Sequence, residues 1–138
     1  MMPLLFLSAA SADLDALDQA VARCDRHAAN PVFAGEAARR SQFLLDAYKE
    51  QEAIVADRLT LGDQRRALRE TPSAKLVEQK QLQKQLDLQE AAIEDRQKSL
   101  NDKRMLEGIR QDAMDNMRRY FLTNCPAGKD PIEKNVGK

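Results

Sequence analysis

A chain of 138 residues has room for one modest domain. Charged residues make up 32% of it and aromatics only 4%, with no Trp, so a thick globular core is excluded and the composition is that of long helices and coiled coils. Twenty-two basic residues balance twenty-two acidic ones, which argues against the net basic footprint of a dedicated nucleic-acid binder.

The chain opens on a short apolar run, Pro3-Leu4-Leu5-Phe6-Leu7, followed by Ser8-Ala9-Ala10-Ser11-Ala12. An Ala-x-Ala triplet ending at Ala12 after an apolar run is the back half of a secretory signal peptide. No Lys or Arg precedes the run, so residues 1–12 read as a truncated leader, cleaved before Asp13. No segment approaches the ~18 apolar residues that span a bilayer, and no transmembrane helix is expected.

Residues 13–29 read as a first, short helix. Leu14, Leu17, Val21 and Cys24 share one face at helical spacing. Asp13, Asp15 and Asp18 sit near its N-terminal end, where the helix dipole favours negative charge. Asn30-Pro31 is expected to end it, since the residue before Pro avoids the α region. A second helix then runs from Pro31 or Glu36 to about Arg69. Its positions Ala47, Ile54, Leu61 and Leu68 repeat every seven residues, a coiled-coil period. Gly62 costs about 1 kcal/mol relative to Ala inside a helix, which suggests a close approach of two helices there.

Thr71-Pro72-Ser73 marks a bend, with Pro72 tolerated only in the first turn of a third helix. That helix is expected from about Ala74 to Leu122. Its apolar line is Leu76, Leu82, Leu86, Ile93, Leu100, Leu106, Ile109, Ala113, Met117 and then Tyr120 or Phe121. Pro126, Gly128 and Pro131 end it, and residues 126–138 read as a disordered tail.

Folded back at 71–74, the second and third helices pair Leu61 with Leu86, Ile54 with Ile93 and Ala47 with Leu100 in one constant antiparallel register. Cys24 and Cys125, the only cysteines, fall within two residues of that register. The expected fold is therefore all-α: a single domain over 13–125, with a short N-terminal helix and a long antiparallel hairpin stapled by a Cys24–Cys125 disulfide. Such a hairpin buries little surface and needs support. The disulfide is one source. Self-association through a second apolar flank, Phe43, Leu44 and Leu59, is another.

No residue pattern carries catalytic chemistry. Cys24-Asp25-Arg26-His27 has a Cys-x-x-His spacing, but a structural zinc site wants four close ligands and only Cys125 could join. His27 is the only histidine and lacks an orienting partner and a nucleophile. Asp87, Glu90, Glu94 and Asp95 lack the Glu-x-x-His elements of a di-metal site and read as a solvated face. Met105, Met114 and Met117 read as seam filling. No metal, cofactor or enzyme activity is expected.

The bend is the distinctive surface. Residues 65–84 hold six basic residues, Arg65, Arg66, Arg69, Lys75, Lys80 and Lys84, against Glu70 and Glu78. This surplus could dock an acidic protein, a polyanion or a membrane surface. The sequence thus points to an exported, periplasmic or secreted helical protein that acts as an interaction, assembly or holdase-like module on an unknown protein partner. Its long arms resemble periplasmic chaperones with helical arms, in architecture alone. The alternatives are a cytoplasmic coiled-coil adapter with reduced cysteines and polyanion or membrane-surface binding through the bend.

Overall fold

A computed structural model describes residues 4–71 and 76–126, with side chains from Asp13 onward. Three helices appear in order: α1 (Leu4–Ala22), α2 (Arg26–Glu70) and α3 (Leu76–Asn124). The long helices α2 and α3 pack against each other, and a Cys24–Cys125 disulfide is present with Cα atoms 5.5 Å apart. Among the described residues no helix is long and apolar enough to cross a membrane. Pro72, Ser73 and Lys75, part of the expected bend, lie outside the described residues, as does the expected tail beyond Pro126. The chain divides into two compact units, Gln42–Leu106 and the combination of Met1–Ser41 with Glu107–Lys138.

In the Gln42–Leu106 unit the core is the expected heptad line. Ala47, Ile54, Leu61, Leu86, Ile93 and Leu100 form one buried cluster, with Phe43 and Leu68 partly buried against it. Each stretch of seven residues thus brings one apolar side chain to the seam, and Ile54 is sealed completely. Polar bonds flank the line in the antiparallel order. Gln51 and Gln97 exchange amide hydrogen bonds at 2.9 and 3.1 Å. Arg96 reaches back to Glu50 and Asp57, and Arg65 to Asp87 and Glu90. Gly62 does not mark a close approach. Apart from the adjoining backbone of its own helix, nothing lies within 4 Å of a Cβ built on it, so the glycine faces open space.

The second unit joins three helices. Leu17, Ala20 and Val21 of α1, Ala29 of α2, and Met114, Phe121 and Cys125 from the α3 end are its buried core. Leu14, Cys24, Phe33 and Met117 pack on the outside of that cluster. The rings of Phe33 and Phe121 lie 5.7 Å apart at a tilt, a favourable aromatic geometry. On α3 the buried positions Met114 and Phe121 continue the seven-residue period of Leu86, Ile93 and Leu100. Leu106, Ile109 and Tyr120, expected on the seam, are exposed. The position that the period assigns between Leu100 and Met114 is Glu107, a charged residue, and following the apolar residues alone drifts off it.

The break between the first two helices lies at Arg23–Asp25, not at Asn30-Pro31. Cys24 takes a left-handed backbone conformation, with φ of 54°. Its N–H donates to the Val21 carbonyl at 3.1 Å, and the Asp25 N–H to the Ala20 carbonyl at 2.8 Å. This pair of bonds is the Schellman closure of a helix C-terminus, usually built on glycine. Asp25 then caps α2, its carboxylate accepting from the Ala28 N–H at 3.2 Å, which satisfies one of the donors a helix start leaves open. Pro31 is tolerated as the sixth residue of α2 because both it and His27, whose carbonyl loses a donor, are exposed to water.

Two outcomes are expected. The disulfide spans 101 residues, so the chain-entropy argument gives it about 4–5 kcal/mol, and reduction should lower the urea midpoint accordingly. With Cys125→Ala removing the bond, Cys24→Gly should be more stable than Cys24→Ala by about 1 kcal/mol, because glycine takes φ > 0 without cost. Equal unfolding midpoints for that pair would mean the left-handed turn does not form in solution.

Candidate functional site

The densest polar cluster is buried in the unit that contains both chain ends. Glu36 and Glu107 are 7% and 8% exposed, the only charged residues in the buried class among those described. One guanidinium serves both. Arg39 donates to Glu107 through two nitrogens, at 2.6 and 3.0 Å, and to Glu36 through two, at 2.7 and 2.9 Å. Such fork-to-fork pairing is the strong form of the ion pair. Arg40 donates to Glu36 at 3.0 Å and to Asp115 at 2.8 Å, and the Gln111 amide donates to Glu107 at 3.0 Å. Glu36, Arg39 and Arg40 share a face of α2 through i, i+3 and i, i+4 spacing, so the helix itself gathers them.

Electrostatics follow from these bonds. The hydrogen bonds of Arg39 hold the Glu36 carboxyl below its ordinary 4.5, against a smaller opposing effect of burial. At Glu107 burial is the largest single influence and pushes upward, but the bonds from Arg39 and Gln111 and the positive charge of Arg39 leave the group lowered. The two glutamates raise Arg39 in turn, so it stays charged. Every carboxylate here is spent on an arginine. The cluster holds no nucleophile, and among the described residues no group of three or more His, Cys, Asp and Glu is arranged to hold a metal ion. Its chemistry is that of a lock between helices.

A second polar contact closes the end of α3. Arg26 donates to the Cys125 carbonyl at 2.6 Å and the Pro126 carbonyl at 2.5 Å, and its guanidinium lies 5.8 Å from the centre of the Phe121 ring. It thereby satisfies carbonyls that a helix C-terminus leaves without donors. Sequence patterns single out none of Arg26, Arg39, Arg40, Glu36 and Glu107. The available signal is the unbroken seven-residue count from Leu86 to Phe121, which lands on Glu107 and demands a basic partner on the facing helix.

The expected surface sites fare differently. At the basic bend, Arg65 is bonded to Asp87 and Glu90, and Arg66 to Asp63. Those acids flank the 65–84 window on either side, so counting within it overstates the positive field. Arg69, Lys80 and Lys84 are exposed and enter none of the ion pairs among the described residues, while Lys75 lies outside those residues. Of the apolar flank, Leu44 and Leu59 are exposed, at 66% and 67%. Phe43 instead packs on the seam cluster. Among the methionines Met114 is core, Met117 packs on it and Met105 is exposed. In comparisons with family models, curated proteins and solved structures, nothing matches this chain.

The cluster has a pH signature. Glu36 and Glu107 bind protons more weakly folded than unfolded, so the stability they supply is complete well above 4.5 and is lost as pH falls from there through their lower folded values. Urea midpoints should therefore fall as pH drops below about 4.5. Glu107→Gln should flatten that fall, and a variant with the wild-type acid slope would remove Glu107 from the account.

Proposed function

We propose that this chain is an exported, non-enzymatic helical protein that works by binding other proteins, as an interaction, assembly or holdase-like module. The observation that carries the reading is the Cys24–Cys125 disulfide. Disulfides form and persist in oxidising compartments and are rare where thiols are kept reduced. The bond is also integral to the fold, since it ties the turn after α1 to the end of α3, with Cys125 in the buried cluster and Cys24 packed against it. The leader-like run supports the same direction, with cleavage after Ala12. The α1 core residues Leu17, Ala20 and Val21, with Leu14 beside them, all follow that point and would remain in a chain starting at Asp13.

A binding role is supported by what the helices leave uncovered. Large apolar side chains stand exposed along α2 and α3, among them Leu44, Tyr48, Leu59, Leu88 and Ile109. Leu44, Tyr48 and Leu59 share one face of α2, and exposed apolar surface gathered on one face is characteristic of interaction sites.

Intact mass spectrometry of the native protein, after thiol trapping in unlysed cells, tests the compartment. The expected mass is that of a chain beginning at Asp13 with both cysteines oxidised. A cytosolic protein that retains residues before Asp13 and carries two trapped thiols would replace this reading with that of a cytoplasmic adapter.

A further inference from the structure

The exposed apolar residues of α2 in the Gln42–Leu106 unit are not scattered. At 100° per residue, Leu44, Tyr48, Val55 and Leu59 fall within about 60° of one another around the helix. All four are open to solvent, at 66%, 60%, 46% and 67%. Gly62 extends the same line with nothing near it. The line is separate from the seam, whose α2 residues Ala47, Ile54 and Leu61 are buried against α3.

Its spacing is symmetric. Leu44 and Leu59 stand equally far on either side of the Gln51–Glu52 midpoint, and so do Tyr48 and Val55. A surface that binds its own copy about a twofold axis must be complementary to itself, and this line meets that condition when the copies run antiparallel. We propose that this face of α2 binds a second copy of the chain, antiparallel, about a twofold axis that passes between the two α2 helices at the level of residues 51–52. Leu44 then lies opposite Leu59 of the second copy, and Tyr48 opposite its Val55.

Charge on the neighbouring helix supports the same axis. The strip of α3 beside this line is marked by its bonds to α2: Arg104 and Gln97 to Gln51, Asp87 and Glu90 to Arg65. The strip is acidic at one end, where Asp87 and Glu90 outnumber the single Arg65 bonded to both, and basic at the other, Arg104. Asp87 and Arg104 are equally far from residues 95–96 of α3, the level that the seam register, with Ile54 facing Ile93, sets opposite residues 51–52 of α2. The same twofold therefore brings the acidic end of one copy over the basic end of the other. Opposite-sign apposition favours this register and disfavours the parallel one, which stacks like on like.

The area suffices. A large apolar side chain carries roughly 150–200 Å², so four of them about half exposed leave on the order of 350–450 Å² per copy, the size of the largest apolar patch on a typical monomer, which is often functional. Two such patches with their polar borders reach the order of 1,000 Å², the lower bound for a specific interface. Glu52 lies beside the axis and would meet its own copy, the one like-charge contact in the arrangement.

The test uses the full chain with its native disulfide. Sedimentation equilibrium from about 1 to 100 μM should show a monomer–dimer equilibrium, micromolar affinity being usual for a small interface. Leu44→Glu or Tyr48→Glu should weaken it at least tenfold while helicity is retained, and Glu52→Gln should tighten it. Cysteine crosslinking reads the direction. Under mild oxidation Glu52→Cys should crosslink to its own copy. Leu44→Cys should not, but should crosslink to Leu59→Cys when the two variants are mixed. A chain that stays monomeric over the range, a dimer indifferent to Leu44→Glu and Tyr48→Glu, or self-crosslinking of Leu44→Cys would each overturn the proposal. None of these outcomes depends on export, so the two readings can fail separately.

Discussion

The fold depends on how α3 handles a charged residue at a seam position. A coiled-coil seam takes one side chain in seven from each helix, and on α3 that count runs Leu86, Ile93, Leu100, Glu107, Met114, Phe121. A carboxylate left alone at a buried position costs several kcal/mol. Arg39 removes that cost by bonding Glu107 with two nitrogens while holding Glu36 with two. With Glu107 neutralised in place, Met114 and Phe121 keep the count. They then form the surface on which Leu17, Ala20 and Val21 of α1 pack, and beside which Cys125 meets Cys24.

A charged layer of this kind is a poor source of net stability, since an apolar pair of equal volume often does as well or better. Its value lies in selection. Shifting α3 by one turn, three or four residues, would take Glu107 away from Arg39 and bring Lys103 or Arg104, or else Arg110 or Gln111, to its level, none of which can neutralise it. Polar residues at seam positions are best attested as devices that fix register in this way. The disulfide needs such selection, because it demands two Cα atoms within about 4.4–6.8 Å and a slip of one helical turn moves a residue by about 5.4 Å.

Much of this is legible in the sequence. The helical class, the antiparallel seam through Ala47, Ile54, Leu61, Leu86, Ile93 and Leu100, and the Cys24–Cys125 pairing all follow from a strict apolar period and a shared register. Three features mislead for identifiable reasons. Asn30-Pro31 suggests the first turn because proline is a strong local signal, yet a solvent-facing proline near a helix start is tolerated. The actual turn at Cys24 has no glycine to advertise it, and its positive φ is compatible with cysteine at a modest cost. On the far half of α3, the apolar residues Leu106, Ile109 and Tyr120 lead off the period, because the true position carries a charge. Cross-helix pairing also alters the charge reading, since Asp63, Asp87 and Glu90 cover basic residues that look free when the sequence is counted in windows.

A double-mutant cycle between Arg39 and Glu107, followed by urea unfolding at pH 7 with the disulfide intact, tests the central claim most directly. Arg39→Met and Glu107→Leu are each expected to destabilise, the first more strongly because it strands two buried glutamates. The double variant should recover part of the loss, giving a coupling energy of about 2 kcal/mol or more, as for other closely paired charges. Additive effects, with coupling near zero, would contradict the account that this pair holds α3 in register.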